Sequence, residues 1–248
     1  MNRKTLVTAM TAALVSPFLA GQAAADVVGL GASVSYWDSD LSGTAATNGS
    51  TVDVENDLNL DSDSNANLNA YIEHPVPLLP NVRLNYTKIE QSGRGELGLD
   101  GFDFIPGNVE VQSDLDLDQL DITLYYELLD NWVNLDAGIT ARDLDGELLV
   151  QEVGGTAASR TEIDAIVPMG YLAARFDLPL TGVSVGAEGN AISYDGDSIY
   201  DLNAYGQFEV TVVTLRAGYR EMSIDYEDGN DKLDVEIGGP FISAGVTF

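Results

Sequence analysis

The sequence contains no cysteine, a single histidine, and only 11 lysines and arginines among its 248 residues. Without cysteine, the fold cannot depend on disulfide bonds. The few basic residues stand against 40 acidic ones, so the formal net charge is −29. Such acidity excludes nucleic acid and anionic lipid as direct electrostatic partners. It favours divalent cations, basic partners or a salty habitat, or simply a strongly solvated surface.

Long apolar runs are also missing. The longest, at residues 6–19, is interrupted by polar residues and by proline, and is shorter than the roughly 20 residues that a membrane-spanning helix needs. Arg3 and Lys4 precede it, and three alanines ending at Ala25 follow it. A basic start, a short apolar stretch and a small-residue site are typical of a cleaved secretory signal peptide. We therefore expect residues 1–25 to be removed and residues 26–248 to form a single exported domain.

After residue 25 the chain lacks helical periodicity and instead alternates with period two, which indicates β-strands. Apolar side chains alternate with small or polar ones in five segments, at residues 28–36, 82–87, 120–127, 133–142 and 200–209. Each segment therefore has one apolar and one polar face. Alternation alone does not separate a soluble β-sandwich from a membrane barrel.

Three further features favour a membrane barrel. The segments run about 9–11 residues, as expected for tilted strands that cross a bilayer, whereas soluble strands average about 5–6. Short connections at residues 74–81, 128–131 and 177–182 alternate with long acidic ones at 38–65, 90–114 and 143–160, as short periplasmic turns alternate with long outer loops. Aromatic residues lie at both segment ends, as in interfacial girdles: Tyr36, Trp37, Tyr86, Tyr194 and Tyr226 at one, and Tyr126, Trp132, Phe176, Phe208 and Phe248 at the other.

Strands that leave the short turns begin near Val27, Val82, Val133, Val183 and Val213. Five returning strands are expected at residues 67–73, 115–127, 163–176, 199–209 and 233–248, although alternation does not settle which face of 163–176 points inward. The sequence therefore predicts an all-β, transmembrane, antiparallel up-and-down β-barrel of about ten strands, with eight or twelve as alternatives. Residues 51–60 offer an extra hairpin above the membrane.

The chain ends on alternating apolar residues, Ile242, Ala244, Val246 and Phe248. A last strand that closes a barrel against the first leaves no unpaired edge in lipid. Together with the signal peptide, this ending resembles the small, functionally uncharacterised outer-membrane β-barrel proteins of Gram-negative proteobacteria. The resemblance implies that these four residues are recognised by the barrel-assembly machinery. Upstream, Leu233, Val235 and Ile237 are out of phase with them, so a bulge or kink is expected at residues 238–240.

The presence of only one histidine bears on whether the chain is an enzyme. Outer-membrane barrel enzymes generally place a histidine at the extracellular rim, and the only histidine here, His74, lies in a predicted periplasmic turn. A histidine-dependent triad is therefore not expected, and the chain is predicted to be no enzyme and to need no cofactor. The acidic clusters do not match a calcium-binding loop. Loose divalent bridging between them and lipopolysaccharide phosphates is the expected metal interaction.

Charged residues on the polar faces predict a network inside the barrel: Arg83, Asp121, Glu127, Asp136, Arg142, Glu188, Asp201, Glu209, Arg216 and Arg220. A barrel of about ten strands is narrow, so these groups must pair. The first hypothesis is a structural or surface protein whose lumen is largely plugged. The alternatives are a narrow, porin-like, cation-leaning pore for small solutes, and an adhesin or receptor that acts through acidic loops.

Overall fold

The computed structural model describes residues 28–47, 49–60, 63–76, 78–229 and 231–248. The predicted signal peptide, residues 1–25, lies outside this part of the chain. Among the described residues, no helix is long and apolar enough to cross a membrane. The strands are β1 Gly29–Thr47, β2 Ser50–Asp53, β3 Asp63–Glu73, β4 Asn81–Glu96, β5 Glu110–Asp130, β6 Val133–Glu152, β7 Ala158–Leu178, β8 Val183–Tyr194, β9 Asp197–Val210, β10 Val213–Asp228 and β11 Asp231–Thr247.

Ten of these strands form one closed antiparallel barrel. From β3 to β11 each strand pairs with the next one in the chain, and β1 pairs with both β3 and β11, which closes the sheet. The main chains of Leu30 and Phe248 exchange two hydrogen bonds of 3.0 and 2.7 Å at the seam. Among the described strands, the short β2 pairs only with the last residues of β1, where the sequence offered an extra hairpin. The prediction of a ten-stranded up-and-down barrel is confirmed.

The two ends of the barrel differ. One end, here the short-turn end, carries the connections β3–β4, β5–β6, β7–β8 and β9–β10 together with Phe248. The opposite loop end carries the connections that follow β1, β4, β6, β8 and β10. Three strands, β5, β6 and β7, are 21, 20 and 21 residues long and extend into segments that the sequence analysis assigned to acidic loops. The predicted loops were therefore too long, because many of the acidic residues assigned to them lie on strands.

The polarity of the two barrel faces inverts along each long strand, which explains the error. Near the short-turn end of β5, Ile122 and Leu124 point outward while Thr123 is buried inside. Toward the loop end of β5, Leu117 is buried inside while Asp116 is exposed outside. We call the first region the apolar belt and the second the acidic wall. The belt has the outward apolar surface of a membrane barrel, whereas the wall has a polar exterior and an apolar interior.

The same inversion removes the need for a bulge in β11. The pairing of β11 with β10 continues without a register shift through Gly238 and Gly239. Val235 and Ile237 are buried inside the acidic wall, whereas Ile242 and Val246 point outward in the apolar belt. A bulge at residues 238–240 was predicted and is absent from the described strand, although the pairing of β11 with β1 omits Gly239 and Pro240 without a change of register. The change of phase reflects which side of the strand is apolar, not a break in the strand.

The interior of the acidic wall is one apolar cluster. It joins strand residues with residues of β2, of the following residues 54–60, and of the loop between β4 and β5. Its buried members are Trp37, Leu41, Ala45, Val52, Val54, Leu58, Leu60, Ile89, Leu97, Phe102, Ile105, Val111, Leu117, Leu144, Val150, Met222, Val235 and Ile237. Trp37 is only 1% exposed, so its predicted place in an aromatic girdle was wrong. At the short-turn end, by contrast, Trp132 and Phe176 meet edge to face outside the barrel, 5.3 Å between ring centroids.

Candidate functional site: the barrel interior

A buried ionic layer crosses the middle of the barrel. Arg142 on β6 donates from Nε and Nη2 to both carboxylate oxygens of Asp121 on β5, at 2.8 Å each. The same Nη2 donates to Asp201 on β9 at 2.7 Å. The side chain of Arg142 is fully buried, and those of Asp121 and Asp201 nearly so. A bidentate pair of this kind is the strongest arrangement available to a buried arginine.

Arg220 on β10 completes this layer from the other side. Its Nε and Nη2 donate to the two oxygens of Asp201 at 2.9 and 2.7 Å, and its Nη1 donates to Thr87 Oγ1 at 3.1 Å. Its guanidinium lies 4.6 Å from the ring centroid of Trp37, within cation–π range. Four strands, β5, β6, β9 and β10, therefore contribute two arginines and two aspartates to a charge-balanced layer. Here it is called the central ionic layer.

A second layer lies nearer the short-turn end. Arg83 on β4 donates to Glu188 on β8 at 2.8 Å and to the hydroxyl of Tyr171 on β7 at 2.7 Å. The guanidinium of Arg83 also lies within 6 Å of the ring centroids of Tyr71, Tyr125 and Tyr171, at 5.9, 5.4 and 5.4 Å. Aromatic faces and a carboxylate thus surround one cation. We call this group the arginine–tyrosine layer.

Arg216 on β10 extends the arginine–tyrosine layer. It stacks 4.4 Å from the ring centroid of Tyr205 and donates to Gln207 Oε1 at 2.7 Å. Its Nη1 lies 3.9 Å from Glu188, so this ion pair is looser than the pair that Arg83 makes with Glu188. Because Arg216 is also 26% exposed, water competes with the Glu188 contact.

The short-turn mouth holds the remaining predicted lumen acids. Glu127 accepts a hydrogen bond from Asn81 at 3.1 Å, but its side chain is largely exposed. Asp136 is half-buried on the inward face of β6, and Glu209 is exposed at the end of β9. Of the ten predicted residues, seven take part in the two layers above, whereas these three lie at the mouth outside them. The mouth is more acidic than the layers.

Between the two layers lies a small polar cavity of about 50 Å³. Uncharged side chains of β1, β3, β4, β9 and β11 form most of its lining, with Glu188, Arg216 and Arg220 across from them. The uncharged polar members are Ser33, Ser35, Asn67, Asn69, Asn85, Asn203 and Ser243. A polar cavity of this volume has room for a few water molecules. Beyond it, Trp37 and Phe241 mark the start of the apolar cluster.

Residues 54–60 form part of the apolar cluster inside the acidic wall. Leu58 and Leu60 are buried, and the segment passes the inward face of β4 at two glycines. A Cβ atom on Gly93 would lie 1.8 Å from the carbonyl oxygen of Asn59, and one on Gly95 would lie 2.0 Å from that of Asp57. Only glycine permits this approach of two main chains.

The same segment begins with a tight turn. The Asp53 carboxylate accepts hydrogen bonds from the main-chain N–H groups of Asn56, at 2.9 Å, and Glu55, at 3.0 Å. The bond from Asn56 is the main reason that the pKa of Asp53 lies below its usual value. Asp53 therefore stays ionised at neutral pH and holds the turn. Its contribution to stability is present above the pKa of the unfolded chain and is lost as the pH falls through the folded pKa.

The loop between β4 and β5 covers the barrel above that segment. Leu97, Phe102 and Ile105 are buried, and the main chains of Phe102 and Ile105 exchange two hydrogen bonds. The main-chain N–H of Asp103 donates to Ser50 Oγ at 3.0 Å, and Ser159 Oγ donates to the Asp103 carboxylate at 2.9 Å. These contacts connect β2, the loop and β7 across the loop end. Sequence analysis missed this cover, and the only signal for it is the apolar residues within an otherwise polar glycine-rich stretch.

His74 lies at the short-turn end, where the sequence placed it. Its Nε2 is 3.2 Å from the carbonyl oxygen of Pro80, and its Nδ1 accepts from the N–H of Val76 at 3.3 Å. The ring therefore bonds within its own turn. Within the described ranges, no group of three or more histidine, cysteine, aspartate or glutamate residues is arranged to hold a metal ion.

No protein-family profile and no curated protein sequence matches the chain. Solved structures do match. The outer membrane protease OmpT of Escherichia coli superposes with a TM-score of 0.54 at 10% identity, over 90% of this chain and 97% of that one. The fold is that of the bacterial outer-membrane β-barrels. The translocator domain of the Neisseria meningitidis autotransporter NalP is also similar, with a TM-score of 0.46 and 11% identity over 99% of this chain and 94% of that one. At 10% identity the likeness to OmpT shows the fold alone.

Proposed function

We propose that this chain is an integral protein of the bacterial outer membrane with a structural or surface role and a lumen closed to through-flow. The apolar belt, the edge-to-face aromatic pair at the short-turn end and the likeness in fold support this location. The proposal includes removal of residues 1–25 on export. It also includes recognition of Ile242, Ala244, Val246 and Phe248 by the barrel-assembly machinery, and all four are exposed apolar side chains at the closing strand.

The observation that carries the proposal is the central ionic layer beneath the apolar cluster. A hydrated ion moving along the barrel would have to separate Arg142 and Arg220 from Asp201, and then enter an interior lined by side chains such as Leu117. The first step leaves buried charges unpaired and the second strips the ion of water, and both are strongly unfavourable. Two barriers of different chemistry in series therefore favour a closed lumen.

A narrow, cation-leaning pore is the second candidate, and a specific observation favours it. The polar cavity between the two layers has room for water, and the acids at the short-turn mouth, among them Glu127, Asp136 and Glu209, would attract cations. This route reaches the central ionic layer from one side only. The cavity therefore fits a water-filled space with a closed end better than a complete channel.

Conductance in planar bilayers tests the closed lumen directly. We expect the wild-type barrel to show no steady conductance, with folding and insertion confirmed by a shift in gel mobility between unheated and boiled samples. The double variant Arg142→Ser/Arg220→Ser with residues 54–60 replaced by glycine and serine serves as the open control, and cation-selective openings are expected from it. Steady, cation-selective conductance from the folded wild type would contradict the closed lumen and support the pore.

A surface role would act through the exterior of the acidic wall. An open groove of about 340 Å³ lies there, and its lining includes Asp63, Glu90, Asp114, Asp116 and Glu147. Lipid and lipopolysaccharide are the proposed surroundings, with divalent cations bridging these acids to phosphates without a structured site. An adhesin or receptor function would use the same surface. Catalysis forms no part of the proposal, because the sole histidine is engaged in its turn.

A further inference from the structure

The acidic wall contains a strand edge that no described strand pairs with. β7 pairs with β6 from Ala158 to Phe176, but it pairs with β8 only from Gly170 to Leu178. In the described part of the chain, no strand covers the other side of β7 from Ala158 to Met169. Pro168, which has no main-chain N–H, lies near the point where pairing with β8 stops, a position typical of a sheet edge. We call residues 158–169 the β7 edge.

No described strand fills the space beside the β7 edge. β8 ends at Tyr194 and turns into β9 at Asp197, and its last residues, Ile192 to Tyr194, pair with β9 alone. Thr161 is exposed although it lies on the inward face, and Ile166 on the outward face is 74% exposed. The wall therefore drops in height from β7 to β8. An exposed row of main-chain N–H and C=O groups is a template for an added strand.

The outward face beside this edge is acidic. Glu162 and Asp164 lie on β7, and the residues directly opposite them on β6 are Glu147 and Asp145. The one basic residue of the β7 edge, Arg160, contacts Glu147 and lies 3.7 Å from Glu162. Four acidic side chains thus lie around one basic residue of the β7 edge, and opposite charges on a neighbouring strand stabilise a sheet. Basic side chains on an added strand would therefore be favoured here.

The inward face beside the edge is apolar. Ile163 and Val167 are partly buried and pack against the apolar cluster. On a strand paired with β7, alternate side chains would face this apolar side and the acidic outer side in turn. The edge thus fits a segment that alternates apolar and basic residues. A second copy of this chain fits poorly, because two such edges would bring acids together.

From this geometry we propose that the β7 edge binds an extended basic segment of another polypeptide by strand addition. The added strand continues the sheet beyond β7 above the β8–β9 turn. Main-chain hydrogen bonds provide the affinity, and the alternating acidic and apolar faces select the side chains. This binding depends on the exterior and edge of the acidic wall, and it is independent of whether the lumen conducts.

The test uses a fluorescent ten-residue peptide in which lysine and valine alternate. Its binding to the folded barrel is measured in zwitterionic detergent. We expect binding that weakens at least tenfold when alternate peptide nitrogens are methylated, because methylation removes strand hydrogen bonds and leaves the charge unchanged. The variant Glu162→Lys/Asp164→Lys should also weaken binding at least tenfold. The matched control, Asp234→Lys/Glu236→Lys, makes the same charge change on exposed outward positions of β11 and should bind as the wild type does.

Each alternative has its own outcome. Equal affinity for the methylated and unmethylated peptides would overturn strand addition. Equal weakening by both charge variants would show attraction to the acidic surface as a whole and would also overturn the proposal. A dimer of the wild-type barrel that crosslinks through a cysteine placed at Thr161 would assign the edge to a second copy instead. The chain has no native cysteine, so such a crosslink reports on that position alone.

Discussion

At the scale of single residues, the interior is governed by how completely each arginine is paired. Arg142 is fully buried and its two carboxylate partners are at 2.7–2.8 Å, whereas Arg160 is 60% exposed and pairs outside the barrel. Removing one member of a buried pair leaves an uncompensated charge, but a surface pair is largely replaced by water. The same substitution should therefore have different effects at the two positions.

We expect Arg142→Met to lower the free energy of unfolding by about 3–5 kcal/mol, because Asp121 loses its arginine. Arg160→Met, the exposed control, should change it by about 0–1 kcal/mol. Arg216→Met should fall between them, since its contact with Glu188 is 3.9 Å long and partly exposed. Urea unfolding of the barrel in lipid vesicles measures all three. A value for Arg142→Met no larger than that for Arg160→Met would refute the ranking.

At the scale of elements, strand positions followed from alternation, but the direction of each face did not. The starts of β6, β8 and β10 at Val133, Val183 and Val213 are where the sequence placed them. A period of two separates the faces of a strand without saying which faces inward. Because the outward side of one strand is apolar in the apolar belt and polar in the acidic wall, apolar residues such as Leu172 and Ile163 on β7 point in opposite directions. This inversion also explains why the sequence did not show which face of β7 points inward.

The candidate site could be predicted only in part, for a related reason. Charged residues on polar faces indicated which side chains point inward, but the pairing of Arg142 with Asp121 depends on the register of β5 against β6. The contact of Arg220 with Trp37 joins strands that are far apart in the chain. The close contact of residues 54–60 with Gly93 and Gly95 cannot be predicted from sequence periodicity, since glycine is common throughout this sequence.

The contact of residues 54–60 with Gly93 gives a prediction for this one segment. Gly93→Ala should displace residues 57–59, because the new Cβ would overlap the Asn59 carbonyl, and overpacking of this kind costs about 1–3 kcal/mol. We expect thermolysin to cut before Leu58 or Leu60 much faster in this variant than in the wild type. Gly98→Ala is the matched control, since nothing lies within 4 Å of its added Cβ. Equal resistance of all three proteins would show that the segment is not held by this contact.

At the scale of the whole molecule, the apolar belt and the acidic wall differ in both their exterior and their interior. The apolar belt surrounds paired charges and polar side chains, and the acidic wall surrounds a water-excluding apolar cluster. Each half is the inverse of the other because lipid and water make opposite demands on the exterior. The strands stay continuous across the boundary, so in the proposed outer-membrane location the acidic wall projects beyond the bilayer as an extension of the same sheet. The β7 edge belongs to the acidic wall.

The boundary between belt and wall can be located along one strand. On β5, we expect single cysteines at Asp114 and Asp116 to react rapidly with a water-soluble maleimide in permeabilised vesicles, since both positions are exposed to water. Cysteines at Ile122 and Leu124 are also outward and exposed in the isolated barrel, but they should stay unreacted because lipid covers them. A cysteine at Leu117, buried in the apolar cluster, should react only after unfolding. Because the vesicles are permeabilised, the result does not depend on which way the barrel inserted. Rapid labelling at positions 122 and 124 in the folded protein would show that the belt is not in the membrane.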